Sequence, residues 1–197
     1  MKKLNFYTLA VMVFSFIISS GAFAQEKKMM DQKNSEKTVM VGGAAMYPSK
    51  NIVENAINSK DHTTLVAAVK AADLVKTLQS DGPFTVFAPT NAAFSKLPTG
   101  TVENLLKPEN KEKLQNVLTY HVISGKHSAM DIMNDIKKGN GTATYKTVSG
   151  GTIKAMMKGK NVVLQDENGG ISMVTIADVN QSNGVIHVVD SVALPKM

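Results

Sequence analysis

The segment from residue 84 to residue 94, FTVFAPTNAAF, constrains the fold more than any other part of the sequence. Residues 84–88 present apolar side chains on both faces of a strand, which is typical of a strand inside a domain. Pro89 ends this strand, because proline cannot donate a hydrogen bond to a neighbouring strand. Thr90 or Asn91 can then cap a short helix. The segment therefore predicts a buried strand that leads directly into a helix.

Helical spacing of apolar residues dominates the first half of the chain, and strand patterns dominate the second half. The spacing predicts a helix over 51–57, a longer one that is capped by Asp61 and reaches Leu78, and one that begins at Ser128. Tyr120 to Ile123 is predicted as a short strand. Five further strands are predicted between glycine-containing turns: Thr142–Val148, Thr152–Met157, Asn161–Gln165, Ile171–Asp178 and Val185–Val189. This order of elements predicts an α+β fold class.

Three motifs resemble those of the fasciclin domain family. The segment 84–94 is similar to the family's first signature, and Asn183–Pro195, NGVIHVVDSVALP, is similar to its second. The family's Tyr-His pair is matched between them by Tyr120-His121. The resemblance covers about Tyr47 to Pro195. It implies a fasciclin-like fold, in which two β-sheets are wedged together and several helices pack on them.

The N-terminal region has the layout of a bacterial signal peptide. Lys2 and Lys3 precede an apolar run, and Ala22-Phe23-Ala24 fits the small-x-small cleavage pattern. We expect residues 1–24 to be removed before Gln25, which gives a periplasmic or secreted protein without a transmembrane anchor. The alternative is an uncleaved membrane anchor, because this apolar region is just long enough to cross a bilayer.

The mature chain is predicted to contain a linker and one domain. Residues 25–46 are rich in polar residues without a sustained period, and such composition predicts a disordered polar linker. Each fasciclin-like signature occurs once, so residues 47–197 are predicted to form a single fasciclin-like domain.

Composition narrows the classes of site and partner. The 197 residues include no cysteine, which excludes disulfides, thiolate nucleophiles and cysteine metal ligands. The formal net charge is +6, and all 22 basic residues are lysine. Nucleic-acid readers rely on the forked guanidinium group of arginine. The absence of arginine and of a basic stripe therefore argues against a nucleic-acid partner.

No arrangement of residues in the sequence indicates a reaction. The serines lack a G-x-S-x-G motif. The four histidines, His62, His121, His127 and His187, lack the spacing that places two imidazoles on one helix face. We therefore expect no enzymatic activity, no cofactor and no metal site.

Two motif positions have both a functional and a structural interpretation. In animal fasciclin proteins the Tyr-His pair and its aliphatic neighbours are linked to integrin binding, so the resemblance implies that Tyr120 and His121 bind a partner. The alternative is a core tyrosine beside a histidine at a sheet edge. His187 could be a pH-sensing or ligand-binding imidazole. The alternative, which we favour, is a packed histidine that forms a hydrogen bond with a backbone group.

The family resemblance and the export signal favour a non-enzymatic interaction module for adhesion at the cell surface or in the extracellular matrix. Its partner would be a cell-surface or matrix component, or another copy of the protein. The alternative is a carrier of an apolar small molecule such as a carotenoid or lipid, since some exported fasciclin-like proteins bind carotenoids. Methionine-rich sequence in the second half supports this alternative: Met130, Met133, Met156, Met157 and Met173.

Overall fold

The structure, a computed structural model, describes residues 36–196. The predicted signal peptide, and residues 25–35 of the predicted linker, lie outside the described residues. The folded unit begins at Glu36 and includes everything that follows. No helix in the range 36–196 is long and apolar enough to cross a membrane.

The end of the predicted linker forms a hairpin. Strands β1 (Val39–Val41) and β2 (Ala44–Met46) pair in antiparallel fashion across a two-residue turn, Gly42-Gly43, in which both glycines have positive φ. Val41 and Met46 are buried. The prediction of a disordered linker up to Met46 is therefore wrong for this part of the chain. A Gly-Gly pair between two apolar triplets is a strong hairpin signal, but the polar composition of the preceding residues outweighed it.

Seven further strands form one mixed sheet in the order β4-β3-β9-β8-β7-β6-β5. Neighbouring strands are antiparallel, except for the parallel pair β3 and β9. The strands are β3 (Phe84–Pro89), β4 (Val122–Ser124), β5 (Thr142–Lys146), β6 (Thr152–Lys158), β7 (Asn161–Gln165), β8 (Ile171–Gln181) and β9 (Gly184–Val189). The five strands that were predicted in the second half are all present.

The sheet bends at β8, and its two end strands come together. Residues 171–173 of β8 pair with β7, whereas residues 174–181 pair with β9 across two register shifts. At the far ends, Ile123 forms an isolated bridge with Thr147, and the Val148 N–H donates to the Val122 carbonyl at 2.8 Å. The two halves of the sheet therefore face each other and enclose a core that includes Phe87 and Tyr120.

Helices cover the part of the sheet around β3 and β9, and one helix packs on β5 and β6. They are α1 (Ile52–Ala56), α2 (Thr63–Ala71), α3 (Val75–Leu78), α4 (Asn91–Phe94), α5 (Thr101–Leu105), α6 (Lys111–Tyr120) and α7 (Ala129–Lys138). The mixture of helices and strands confirms the α+β class. The predicted continuous helix up to Leu78 is interrupted, because Asp73 adopts a left-handed conformation with φ of 56° and ends α2.

Strand β3 confirms the prediction for the segment 84–94. It lies between β4 and β9, and all its residues after Phe84 are buried. The Thr90 hydroxyl oxygen accepts a hydrogen bond from the Ala93 N–H at 3.2 Å and caps α4. The segment is therefore an interior strand of the sheet, next to the end strand β4, and the start of the next helix.

Candidate functional site

The Tyr-His pair does not lie on a strand. Tyr120 is the last residue of α6 and His121 follows it, so the prediction of a strand from Tyr120 is wrong. The helical spacing of Leu114, Val117 and Leu118 continues to His121, which explains why the helix extends this far. The strand begins only at Val122.

Tyr120 joins the helix to the opposite half of the sheet. Its side chain is 0% exposed, and its hydroxyl donates to the Thr152 carbonyl at 2.6 Å. The same hydroxyl oxygen accepts a hydrogen bond from the Glu167 N–H at 3.1 Å. Burial raises the pKa of Tyr120 to about 12, so the hydroxyl keeps its proton at neutral pH. Tyr120 therefore has both a packing role and a hydrogen-bonding role in the core.

His121 links the end of α6 to the C-terminal segment. Its side chain is 4% exposed, and Nε2 accepts a hydrogen bond from the Ala193 N–H at 3.0 Å. Nδ1 therefore carries the proton and donates to the Val117 carbonyl at 2.8 Å. Burial lowers the pKa of His121, in agreement with a neutral ring whose two nitrogens are both used.

The expectation of a histidine at an exposed sheet edge is therefore wrong. The rings of Tyr120 and His121 meet edge to face at 6.5 Å, inside the domain. Side chains in this position cannot contact a partner that binds the folded surface. The prediction that Tyr120 and His121 bind a partner rests on the family resemblance alone.

His187 is a packed histidine that satisfies backbone groups, as favoured from the sequence. The Asp178 N–H donates to its Nδ1 at 3.3 Å, and its Nε2 donates to the His127 carbonyl at 2.9 Å. The imidazole is buried and stacks on Phe87 at 5.8 Å between ring centres. Burial lowers the pKa of His187, so the neutral ring is the stable form in the fold.

Asn183 and Gly184, at the start of the second signature, fix the position of β9. The Asn183 amide donates to the carbonyls of Leu78 and Ser80 at 2.8 and 2.9 Å, and its Oδ1 accepts from the Ile52 N–H at 3.0 Å. A Cβ on Gly184 would lie 2.1 Å from the Phe84 carbonyl oxygen. Only glycine therefore permits this approach of β9 to β3.

An apolar cavity lies between the helical layer and the sheet. Its volume is about 80 Å³, and its wall comes from the hairpin, from α1, α2 and α3, from the end of α6 with the following His121, and from the sheet. Val41 and Met46 close it on the hairpin side, and Val86 and Ile186 close it on the sheet side. None of the five methionines of the second half contributes to the wall in the described part of the chain. The methionine-rich sequence is therefore not what makes a cavity here.

His62 is the one buried group in this wall whose hydrogen bonding is incomplete. The side chain is 3% exposed, and Nδ1 lies 2.9 Å from the Ser59 hydroxyl. Among the described residues, its Nε2 is the one buried side-chain polar atom without a hydrogen-bond partner. Burial lowers the pKa of His62. The Ala88 carbonyl and Asp61 act in the opposite direction but do not outweigh burial. The Ala88 carbonyl nevertheless forms no hydrogen bond of normal geometry with the imidazole.

Neither this cavity nor the role of His62 could be predicted from the sequence. Apolar residues of α1 and α2 follow ordinary helical spacing, and this pattern is the same for a cavity wall and for a filled core. His62 lies four residues after Asn58, at the end of a run of polar residues that is typical of a surface turn and does not indicate burial. The deciding contacts come from the hairpin and the sheet, which are distant in sequence.

Comparison with known proteins identifies the family. The model of the fasciclin domain matches residues 60–195. The chain belongs to the fasciclin domain family. This confirms the resemblance that the three motifs carry.

Similar proteins cover most of this chain. It is 46% identical over 170 residues to protein sll1483 of Synechocystis sp., across 86% of this chain and 87% of that protein. It is 34% identical to immunogenic protein MPB70 of Mycobacterium bovis, across 71% of this chain and 66% of that protein. It is also 33% identical to human periostin, of which it covers only 16%. The fasciclin domain is therefore a small part of some relatives and most of others.

A solved structure supports the fold assignment. The FAS1 domain pair from the insect cell adhesion molecule fasciclin I matches with a TM-score of 0.63 over 80% of this chain and 57% of that one. Sequence identity is 16%, so this likeness concerns the fold alone. It confirms the fasciclin-like fold predicted from the motifs.

The surface of the fasciclin domain exposes several large apolar side chains. Three of them belong to the hairpin, α1 and the residues that directly follow these elements: Met40 is 60% exposed, Tyr47 40% and Ile57 53%. We call these three the hairpin surface. The Tyr47 N–H and carbonyl both bond to the Asn55 side chain, which fixes the end of the hairpin against α1. The other exposed positions, Met130, Val148, Met157 and Ile171, lie on different elements.

Proposed function

We propose that this fasciclin domain is an exported, non-enzymatic interaction module for adhesion at the cell surface or in the extracellular matrix. The observation that carries the proposal is the hairpin surface, where three large apolar side chains are exposed on one small unit. Large apolar side chains on the surface mark contact sites for other macromolecules where they form a patch. Membership of the fasciclin domain family supports the same class of function.

The partner is a component of the cell surface or matrix, or a second copy of the domain. Lys50 lies 4.9 Å from the centre of the Tyr47 ring, so the hairpin surface has a positive charge at its edge. An apolar centre with a polar edge is the usual arrangement of a protein interface. It favours a protein partner that presents an apolar side chain beside an acidic one.

A comparison of two triple variants tests this proposal. Met40→Ser, Tyr47→Ser and Ile57→Ser together are expected to abolish adhesion to cells of the source organism and any self-association in sedimentation. The matched control is Met130→Ser, Val148→Ser and Ile171→Ser, which removes as many exposed apolar side chains from other elements. Equal adhesion of the two variants at equal folded concentration would refute a role for the hairpin surface.

Export is a separate part of the proposal. Its support is the charge, apolar run and cleavage pattern of residues 1–24. N-terminal sequencing of protein recovered from the periplasm or medium is expected to begin at Gln25. A chain that remains in the membrane and retains Lys2 and Lys3 would contradict it.

A carrier of an apolar small molecule is the second candidate function. It is supported by the apolar cavity between the hairpin, the helices and the sheet. Protein interiors are close-packed and leave few voids larger than a water molecule, so a cavity of this size needs an explanation. Absorbance and mass spectra of native protein from its source would show a bound pigment or lipid. Protein without any bound molecule, from cells that contain such molecules, would contradict the carrier function.

A further inference from the structure

His62 is a buried polar residue in the wall of the apolar cavity. Both its burial and its position in the wall are established, and Nε2 has no partner among the described residues. A buried polar atom without a hydrogen bond costs about 1–3 kcal/mol. Such atoms are rare in native folds, and each needs an explanation such as a bound molecule.

We propose that the cavity binds an aliphatic chain that ends in a hydroxyl group, and that this hydroxyl is hydrogen-bonded to Nε2 of His62. The inference rests on the carrier function, the second candidate above, and it specifies the ligand class for that site.

The chemistry around His62 favours a hydroxyl over other end groups. The contact of Nδ1 with the Ser59 hydroxyl, at 2.9 Å, is compatible with a proton on either imidazole nitrogen. A ligand hydroxyl both donates and accepts, so it satisfies Nε2 in both tautomers, whereas an ether or ketone satisfies one. A carboxylate or an ammonium group beside His62 would bring a charge into a wall that is almost entirely apolar, at a much higher cost. Lys70, the one charged residue that the described part of the chain contributes to this wall, lies about two helical turns from His62 along α2.

The dimensions of the cavity set the length of chain that it encloses. One water needs about 10–15 Å³ on the same scale, so a volume of about 80 Å³ has room for on the order of six water-sized groups. Typical sites for whole small molecules are larger, at roughly 300–1,000 Å³. The closed cavity therefore fits a chain of about six heavy atoms, or the end of a longer one.

The hairpin holds Ser59 and thereby His62 in place. The Lys60 N–H donates to the Gly42 carbonyl at 3.1 Å, and a Cβ on Gly42 would lie 2.3 Å from the Ser59 hydroxyl oxygen. Ser59 is itself buried and contacts Nδ1 of His62. The orientation of the imidazole is therefore fixed before a ligand arrives, as a selective site requires.

Uptake of two vapours of equal chain size tests the proposal. Hexan-1-ol and heptane have the same number of heavy atoms, and depletion of each from the headspace above a protein solution gives its affinity. His62→Phe keeps a ring of similar shape but removes Nε2. We expect the ratio of hexan-1-ol affinity to heptane affinity to fall at least threefold in His62→Phe, and about tenfold if the hydroxyl is fully buried.

Two further variants locate the effect. Met130→Ala changes an exposed residue outside the wall and is expected to leave both affinities unchanged. Ala56→Phe adds a ring to the wall and is expected to prevent uptake of both compounds. If His62→Phe does not fold, the nitrogen-15 resonance of His62 Nε2 in the wild type gives the same information. It is expected to shift with hexan-1-ol and not with heptane, while the resonances of His187 stay constant.

The possible failures are distinct. An affinity ratio that is equal in wild type and His62→Phe, or a His62 resonance that does not respond to hexan-1-ol, would refute the role of His62 and leave the carrier function intact. No uptake of either compound by the wild type would refute the ligand site and the carrier function together.

Discussion

Replacement of His121 tests whether the Tyr-His pair is structural. His121→Ala leaves the Ala193 N–H and the Val117 carbonyl without the bonds that they now make at 3.0 and 2.8 Å. Each buried group that loses its partner costs about 1–3 kcal/mol, and the lost ring contacts add to this. We expect the free energy of unfolding to fall by about 3–5 kcal/mol in total. This is the opposite of what an exposed edge histidine would give.

The assay is urea unfolding of three variants alongside the wild type. His121→Phe keeps a ring of similar size and removes only the hydrogen bonds. We expect its free energy of unfolding to fall by about 2–4 kcal/mol, close to the decrease for His121→Ala. His127→Ala is the matched control, because His127 is only partly buried, its ring hydrogen bond to a carbonyl is exposed, and its ring otherwise packs edge to face on Tyr145 at 5.2 Å. We expect its free energy of unfolding to fall by about 1 kcal/mol or less. If the free energy of unfolding fell by less than about 1 kcal/mol in both His121→Ala and His121→Phe, the assignment of His121 as a buried residue that joins α6 to the C-terminal segment would be refuted.

Three other changes test the core, the titration of the histidines and the signature glycine. Phe87→Ala removes a fully buried ring and should lower the free energy of unfolding by about 3–5 kcal/mol; an unchanged melting temperature would contradict the burial of β3. Burial lowers the pKa of His62, His121 and His187, and the nearby carboxylates do not reverse this shift. The free energy of unfolding should therefore be highest above the ordinary histidine pKa, about 6.5, and fall as the pH drops below it, because the unfolded chain then binds protons that the folded chain does not. Urea midpoints that stay constant from pH 8 to 5 would contradict this. Gly184→Ala should lower the free energy of unfolding by about 3 kcal/mol, measured by thermal unfolding, because its Cβ would meet the Phe84 carbonyl; a variant as stable as wild type would refute the close approach of β9 to β3.

Elements with local signals could be predicted from the sequence. The strand at 84–88 and its capped helix need only apolar residues, a proline and a threonine in the right order, and the structure contains both. Ser128 caps α7 with Asp131 in a reciprocal capping box, and the lysines at the end of this helix suit its C-terminus. In these places the residues that determine the element lie within one or two turns of each other.

Elements that depend on distant contacts could not be predicted in the same way. The last turn of α6 has a local signal in the helical spacing that continues to His121, but the hydrogen-bond partners of Tyr120, which lie 32 and 47 positions further along the chain, have none. The position of His62 in the wall likewise depends on the hairpin and on β3. Local periodicity contains no information about such partners, so the candidate site became visible only with the folded chain.

The residues that identify the family are mostly those that hold the fold. Asn183 joins the helical layer to β9, Gly184 permits the contact of β9 with β3, and His121 joins a helix to the C-terminal segment. A change at such a position alters folding first, whatever the domain binds. These motifs therefore predict the architecture well and the partner poorly.

Part of the candidate binding region lies outside the range that the family model matches. The model begins at residue 60, and the hairpin surface precedes it, as do the hairpin and α1, which supply one side of the cavity wall. Residues 36–59 nevertheless fold with the rest of the domain, and Asn183 bonds directly to the backbone of α1. The part of the fold that the family model matches thus positions residues 36–59, which include the hairpin surface and one side of the cavity wall. We expect substitutions in 36–59 to change what the domain binds, and substitutions in the signatures to change whether it folds.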